Sequence, residues 1–560
     1  MEESPDKQLQ NFIDIADLQD ELLSLDFQNE SELNTFKQQL ISSPLLNSKW
    51  TFRSILVSIY TCYLCRQHSN FNYIDLFIEI AKLPQNVFNS DFYVLSFTNK
   101  FFIYQLFKAG LVATDSLYEQ STNTEEYCIY FYPEIKEYYS DSPSLANKYL
   151  LQLKECVESS GYHITDTDDK PYFDKFIELR SEGKNPDPIL LSIRMDDVEH
   201  FQQLLSQTNT PVDKLVQRSI FERFIFINES NKESLPTLIE FAAFFGSIKC
   251  FKFLYQKVPD LPNTIANFAV AGGNYEIIHL CEQKHAIFGN ESLMISIRFF
   301  QSDLSSYLEE FCNLEKTIDD ISKSIVYYNL RSLILYQEVL RDDPNKLDSR
   351  GYTMLSLASL NGDLDIINYL IATFGDQIDV NKKSQYGNSP FYYAAGNGHY
   401  EIVKYLSSLP NVDINAKNSD DLTALHYAAK RGHLKVVKFL CSLPNIDVNT
   451  DCNRNEYPID LAVENGHTEI IKFLAQLPNV IVYDFKAENS IIEHSVLSGR
   501  IDIVKLVFEL VDAELDKLGV EDKEKFMSED EKFCYHKGYA YALARYSKMN
   551  DIADFIKSFF

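Results

Sequence analysis

Arg431-Gly432-His433-Leu434-Lys435-Val436-Val437 decides the fold, because three other stretches follow the same plan. They are Asn361-Gly362-Asp363-Leu364-Asp365-Ile366-Ile367, Asn397-Gly398-His399-Tyr400-Glu401-Ile402-Val403 and Asn465-Gly466-His467-Thr468-Glu469-Ile470-Ile471. Their glycines, at 362, 398, 432 and 466, are 36, 34 and 34 residues apart, and Gly499 follows 33 later. A fixed period of this length marks stacked supersecondary units. A unit so short cannot bury its own apolar face, so it leans on its neighbours and builds a solenoid with a continuous concave face.

Each unit can be parsed further. Ala394-Ala395 and Ala428-Ala429 place small residues inside a first helix, where a neighbour can approach closely, and the glycine that follows ends that helix where positive φ costs least. A second helix carries Ile402, Val403 and Leu406, or Val436, Val437 and Leu440, at the spacing of a buried stripe. It stops before Leu409-Pro410-Asn411, Leu443-Pro444-Asn445 and Leu477-Pro478-Asn479. Val412-Asp413-Ile414-Asn415 and Ile446-Asp447-Val448-Asn449 then alternate apolar and polar residues, which predicts a short extended arm. At the tip of the arm stand Gly387, Asp421 and Asn455, residue types that tolerate left-handed backbone.

Thr423-Ala424-Leu425-His426, Ala428-Ala429, Gly432-His433, Val436-Val437 and Asp447-Val448-Asn449 together resemble the ankyrin repeat. Ser389-Pro390-Phe391-Tyr392 and Tyr457-Pro458-Ile459-Asp460 depart from its Thr-Pro-Leu-His opening, and Gly351-Tyr352-Thr353-Met354-Leu355-Ser356 lacks both Pro and His. Those departures weaken the helix-opening hydrogen bonds and leave the stacking intact. The resemblance implies a non-catalytic protein-binding scaffold that uses finger tips and inner helices. Carried over by position, its contact residues are Arg350, Tyr352, Gln385, Tyr386, Asn388, Asn397, Asp420, Leu422, Lys430, Arg431, Arg454, Glu456 and Glu464. Tyr386, Tyr352, Arg350, Arg431 and Arg454 are the expected energetic anchors, since Tyr and Arg combine contact area with directional polar groups.

Upstream, Phe241-Ala242-Ala243-Phe244-Phe245-Gly246, Phe268-Ala269-Val270-Ala271-Gly272-Gly273 and Ile295-Ser296-Ile297-Arg298-Phe299-Phe300 share a shorter skeleton, and Ile189 to Glu199 looks like an earlier copy. The block resembles the divergent, fingerless repeats that precede ankyrin arrays in large protist families. Residues 1–165 show helical periodicity without a legible repeat. The punctuated stretch Asp166 to Pro188 reads as a connector. The expected organisation is all-α: a helical region 1–165, a connector 166–188, divergent repeats 189–342, regular repeats 343–510, an acidic insertion 511–532 and a capping helix pair 533–560.

Composition narrows the partners. The 560 residues carry a net charge of -29, which repels nucleic acid and anionic membrane and leaves a protein partner, a basic one being compatible with the charge. No apolar run reaches the ~18 residues that span a bilayer, and the acidic start at Glu2, Glu3 and Asp6 carries no secretory pattern, so a cytoplasmic location is expected. The ten cysteines are scattered and read as buried thiols. His399, His433 and His467 fall one repeat apart, about 10 Å in a stack of packed helices, too far to share an ion with bonds of about 2 Å. Cys62, Cys65 and His68 lack a fourth ligand at family spacing. No phosphate loop, nucleophile elbow or kinase signature occurs. The expectation is therefore no metal, no cofactor, no small-molecule substrate and no catalysis, with a ubiquitin-ligase adaptor or an N-terminal helical enzyme as the alternatives.

Overall fold

A computed structural model describes residues 5–558 apart from 28, 66–69, 87, 89, 91, 92, 94–96, 98, 122–124, 141, 160–168, 184, 218, 220–234, 483–490, 518–539, 546 and 548. The described residues form an all-α protein whose recorded β-type pairing is an isolated bridge between Leu215 and Thr237. The chain divides into two compact units, residues 10–336 and residues 337–560 together with 1–9.

The first unit contains two apolar cores. One gathers residues between Leu18 and Leu179, among them Phe52, Tyr63, Phe77, Phe97, Phe102 and Phe131. Many of these rings meet edge to face, as Phe77 does with Phe97 at 5.2 Å and Phe102 at 4.9 Å, the arrangement the aromatic quadrupole favours. The expected connector proves to be part of this core. Lys170–Glu182 is a helix, opened by Pro171 in its first turn and ended by Gly183 at φ 60°, and its Tyr172, Phe176 and Leu179 are buried. Proline at the first helical turn and glycine just past the end are start and stop signals, which in a polar stretch look the same as linker punctuation. Arg180, fully buried, fixes the helix through a fork onto Glu134: Nη1 donates to Oε2 at 2.9 Å and Nη2 to Oε1 at 2.6 Å. Its guanidinium also lies 3.9 Å from the centre of the Tyr104 ring.

The second core runs from Ile189 to Leu308 and is made by helical hairpins. Inner helices Pro188–Arg194, Leu238–Phe244, Ile265–Gly272, Asn290–Arg298 and Ile318–Val326 each pack on the next, and each is followed by an outer helix. The hairpin Ile318–Tyr336 continues the series beyond the expected copies. All five turn through a left-handed residue, at Asp196, Gly246, Gly273, Phe300 and Tyr328. Asn274 and Asn329 then donate Nδ2 to the carbonyls of Gly246 and Ile297 in the preceding turns, so the turns are tied one to the next.

In the second unit the regular repeats form as expected. Inner helices Met354–Asn361, Pro390–Gly396, Ala424–Lys430, Pro458–Glu464 and Ile491–Leu497 pack in succession, and the outer helices Tyr400–Ser408, Leu434–Ser442 and Thr468–Ala475 do likewise. Gly362, Gly398, Gly432 and Gly466 all turn at positive φ, between 73° and 87°. The arms between repeats are not strands. Their alternation reflects a ladder of asparagines: Asn381, Asn415 and Asn449 each accept a backbone N–H, from Asp413, Asp447 and Ile481, and donate Nδ2 to the carbonyls of Asn411, Asn445 and Asn479. Side-chain amides thus take the place of a strand ladder. The expected boundary at 510 falls inside the continuous helix Ile501–Lys517, and most of the acidic insertion lies outside the described residues. The helix Asn550–Lys557 packs on Ile501–Lys517, with Phe555 and Phe508 at 5.6 Å. Phe559 and Phe560 lie outside the described residues.

Candidate functional site

Finger tips of the second unit are tight turns joined edge to edge. Within a tip, Asp348 N donates to Tyr352 O, Ser384 N to Asn388 O and Asn418 N to Leu422 O, with Gly351, Gly387, Asp421 and Asn455 at positive φ. Between tips, Gln385 N donates to Gly351 O at 2.9 Å and Asn453 N to Asp420 O at 3.1 Å, while Ser419 Oγ reaches Tyr386 O at 3.0 Å. These bonds hold adjacent tips in register. At the other end of the inner helices, His399, His433 and His467 donate Nε2–H to the carbonyls of Leu360, Gly396 and Lys430, all at 3.0 Å. Each histidine also lies against the glycine of the preceding turn, so the triplet is structural, as the spacing argument required.

Between the two ends runs a row of aromatic rings. Tyr386, half exposed at 50%, sits 5.8 Å from Tyr352, which is 5.6 Å from Tyr393. Tyr393 meets Tyr392 at 6.2 Å, and Tyr392 stacks on Tyr427 at 4.8 Å with the planes 12° apart. Arg431 closes the row, its guanidinium 5.3 Å from the Tyr427 ring and its Nη2 donating to the Tyr427 hydroxyl at 3.1 Å. Burial raises the phenol of Tyr392 well above the ordinary range, so it stays a neutral donor at physiological pH.

The expected contact residues divide into three groups. Tyr386, Gln385, Asp420, Lys430, Arg431, Arg454 and Arg350 are exposed, and Tyr352, Asn388 and Leu422 are half-buried beside them. Arg350 and Gln385 also serve the fold: Arg350 Nη2 bonds buried Asp348 at 3.0 Å and Gln385 Nε2 bonds Arg350 O at 2.8 Å. Asn397 turns back to Tyr393 O at 2.8 Å and caps its own helix. Glu456, at 5% exposure, is buried rather than surface-facing, because the finger turn folds its side chain under Cys452, and Glu464 is half-buried. Tyr392, Tyr393 and Tyr427 were missed by the positional carry-over. The doublet Tyr392-Tyr393 and the lone Tyr427, each just ahead of an Ala-Ala pair, were the signal.

Cys62 and Cys65 are buried, and the Cys65 thiol lies 3.3 Å from the carbonyl oxygen of Arg298, whereas His68 is outside the described residues. Among the described residues no helix is long and apolar enough to cross a membrane.

Three overlapping segments, 325–418, 407–484 and 425–518, match the family described as Ankyrin repeats (3 copies). Residues 325–518 are ankyrin repeats. Residues 259–336, which overlap the start of that segment, match a domain of unknown function, DUF3447. A stretch of 189 residues, 32% of this chain, is 40% identical to alpha-latrocrustotoxin-Lt1a of Latrodectus tredecimguttatus. That match spans only 12% of the spider protein. Ankyrin repeats in general are protein–protein interaction scaffolds, and the family is typically non-catalytic.

Proposed function

We propose that the ankyrin array binds a protein partner through the face formed by its finger tips and inner helices between Arg350 and Arg431. The observation that supports this reading is the row Tyr386, Tyr352, Tyr393, Tyr392, Tyr427 and Arg431, whose rings support one another and end in an exposed tyrosine and an exposed arginine. Pre-packed rings lose little side-chain entropy on binding, which is what concentrates affinity in a few anchors.

Local charge argues for the chemistry of the partner. Arg350, Lys430, Arg431 and Arg454 are exposed along this face, against exposed Asp420. With a screening length of about 8 Å at physiological salt, contact is governed by these groups and not by the chain-wide charge. A segment carrying carboxylates beside an aliphatic or aromatic side chain suits the face better than a basic one.

The test is affinity capture with the full chain, followed by titration of the captured partner against Tyr386→Ala/Arg431→Ala. The double variant loses about 2 kcal/mol or more of binding while its melting temperature holds. A second variant, Gly396→Ala, attacks the row from beneath, since a Cβ there would lie 1.6 Å from Tyr427 Cδ1 and displace the ring. Undiminished binding by both variants rejects this face as the recognition surface.

A further inference from the structure

One repeat beyond the tyrosine row, the same face changes character. Glu464 and His494 occupy the positions, two residues and five residues before the turn glycines Gly466 and Gly499, that Gly396 and Tyr427 occupy before Gly398 and Gly432. Where the earlier junction sets a ring against a glycine, this one sets an imidazole against a carboxylate. Glu456, from the finger turn ahead of the inner helix Pro458–Glu464, completes the group. One ligand atom from each of Glu456, Glu464 and His494 lies within 4.8 Å of the others.

His494 is what makes this a site and not an acidic patch. It is 4% exposed, and neither Nδ1 nor Nε2 has a hydrogen-bond partner. A buried imidazole with both nitrogens unsatisfied is costly, and native structures rarely leave such groups without a reason. Its Nε2 stands 3.9 Å from Glu456 Oε1, too long for a hydrogen bond and a few tenths of an ångström beyond the roughly 3.3–3.6 Å that separates two ligands of a tetrahedral ion with bonds of ~2.0–2.2 Å. Glu456 is itself buried, and the other side-chain partner of its carboxylate is the Cys452 thiol, whose Sγ lies 3.7 Å from Oε2 and steadies that oxygen while Oε1 points at the imidazole. The ion pair described for Glu456 is the one with His494 itself.

We propose that Glu456, Glu464 and His494 bind a divalent transition cation, Zn²⁺ being the best match, at the junction of the inner helices Pro458–Glu464 and Ile491–Leu497. Two carboxylates and one neutral imidazole supply two negative charges and a borderline nitrogen donor, which suits Zn²⁺. Mg²⁺ demands an octahedral oxygen shell and sheds water reluctantly. A fourth position is open to water or to a donor from a docked partner. The site departs from the metal-free expectation of the sequence and is independent of the partner-binding reading: it rests on buried Glu456 and His494 with half-buried Glu464, not on the exposed row.

The experiment is calorimetric titration of ZnCl₂ into the chelator-stripped full-length chain, alongside Glu464→Gln and His494→Gln. Glu464 is half-buried at a helix end, so its variant keeps the fold, which circular dichroism verifies. The wild type binds one Zn²⁺ that Glu464→Gln and His494→Gln lose or weaken about tenfold or more, since even outer-shell changes reach that size. Cobalt substitution distinguishes this set from the free cysteines: a nitrogen and oxygen site gives ligand-field bands without a thiolate charge-transfer band. Zinc binding of equal strength in both variants, a thiolate band on the bound cobalt, or no binding by the wild type overturns the proposal.

Discussion

Gln19 holds the backbone of Tyr328–Leu330 from 309 residues away: Nε2 donates to Tyr328 O at 2.9 Å, and Oε1 accepts from Leu330 N at 3.1 Å. At two other junctions of the divergent repeats the bond to a carbonyl of the preceding turn comes from the following hairpin's own asparagine, Asn274 to Gly246 O and Asn329 to Ile297 O. The helix Pro5–Ser24 thus treats the last turn of that stack as a repeat would. Arg331 adds bonds to Asp17 and Asp20 at the rim.

Removing Gln19 separates the buried from the rim contribution. Gln19→Ala strands a buried carbonyl and a buried N–H and costs about 1–3 kcal/mol. Arg331→Ala breaks ion pairs whose carboxylates are 57% and 44% exposed, a loss of about 0–1 kcal/mol. Urea denaturation of the full chain measures both; equal effects would mean that the fully buried amide contributes nothing special.

Arg180 is the lock between the helix Lys170–Glu182 and the N-terminal core. Arg180→Ala leaves the Glu134 carboxylate without its fork and empties a fully buried volume, so it costs about 3–5 kcal/mol. Limited proteolysis then cuts within 170–182 at low protease, where the wild type resists. A variant as resistant as the wild type would mean that Arg180 is not what holds this helix in place.

Gly432→Val strains the array at a single turn. The backbone there has φ 82°, where a β-branched residue is a steric outlier, and a Cβ would lie 2.6 Å from His467 Cε1. The bond from His467 to Lys430 O is lost with it. We expect about 2–4 kcal/mol of destabilisation, read as a fall in melting temperature, and Gly375→Ala, with nothing within 4 Å of the new Cβ, gives a smaller one.

His426 makes the array acid-sensitive. Burial lowers its pKa from 6.5 to about 4, while Nδ1 accepts from Thr423 N at 3.1 Å and Nε2 donates to Glu456 O at 3.2 Å. The unfolded chain takes up the proton first, so nothing changes above about pH 6.5, and stability is lost as pH falls from there toward 4. At pH 5 the loss is on the order of 2 kcal/mol. Denaturation midpoints at pH 7.5 and 5 give a steeper drop for the wild type than for His426→Gln; parallel slopes would exclude this histidine as the cause.

Much of the second unit was legible because its contacts repeat. Gly432, His433 and Asn449 each perform in one repeat what their counterparts perform in the next, so the pattern 33 to 36 residues apart announces the role. The arm was misread for an equally physical reason: in Asp447-Val448-Asn449 the polar residues alternate because Asn449 bridges two repeats, not because a pleat exposes every second side chain. Of the candidate face, positional transfer reached Tyr386 and Arg431 but not Tyr392, Tyr393 and Tyr427: Tyr393 and Tyr427 do stand one period apart, each ahead of an Ala-Ala pair, but a period shows that a position recurs and not which ring it stacks on, and it is Tyr392 that lies against Tyr427.

By itself the sequence determined the all-α class, the stacked repeats, the left-handed turns at Gly387, Asp421 and Asn455 and the structural duty of the three turn histidines. All of these depend on a residue and its neighbours one period away. Only the tertiary structure decided that Arg180 reaches Glu134, that Gln19 reaches the turn at Tyr328, and that His494 meets Glu456 and Glu464. Such meetings occur once in the chain, across separations set by how helices pack, and a contact that occurs once writes no periodic mark in the residues that make it.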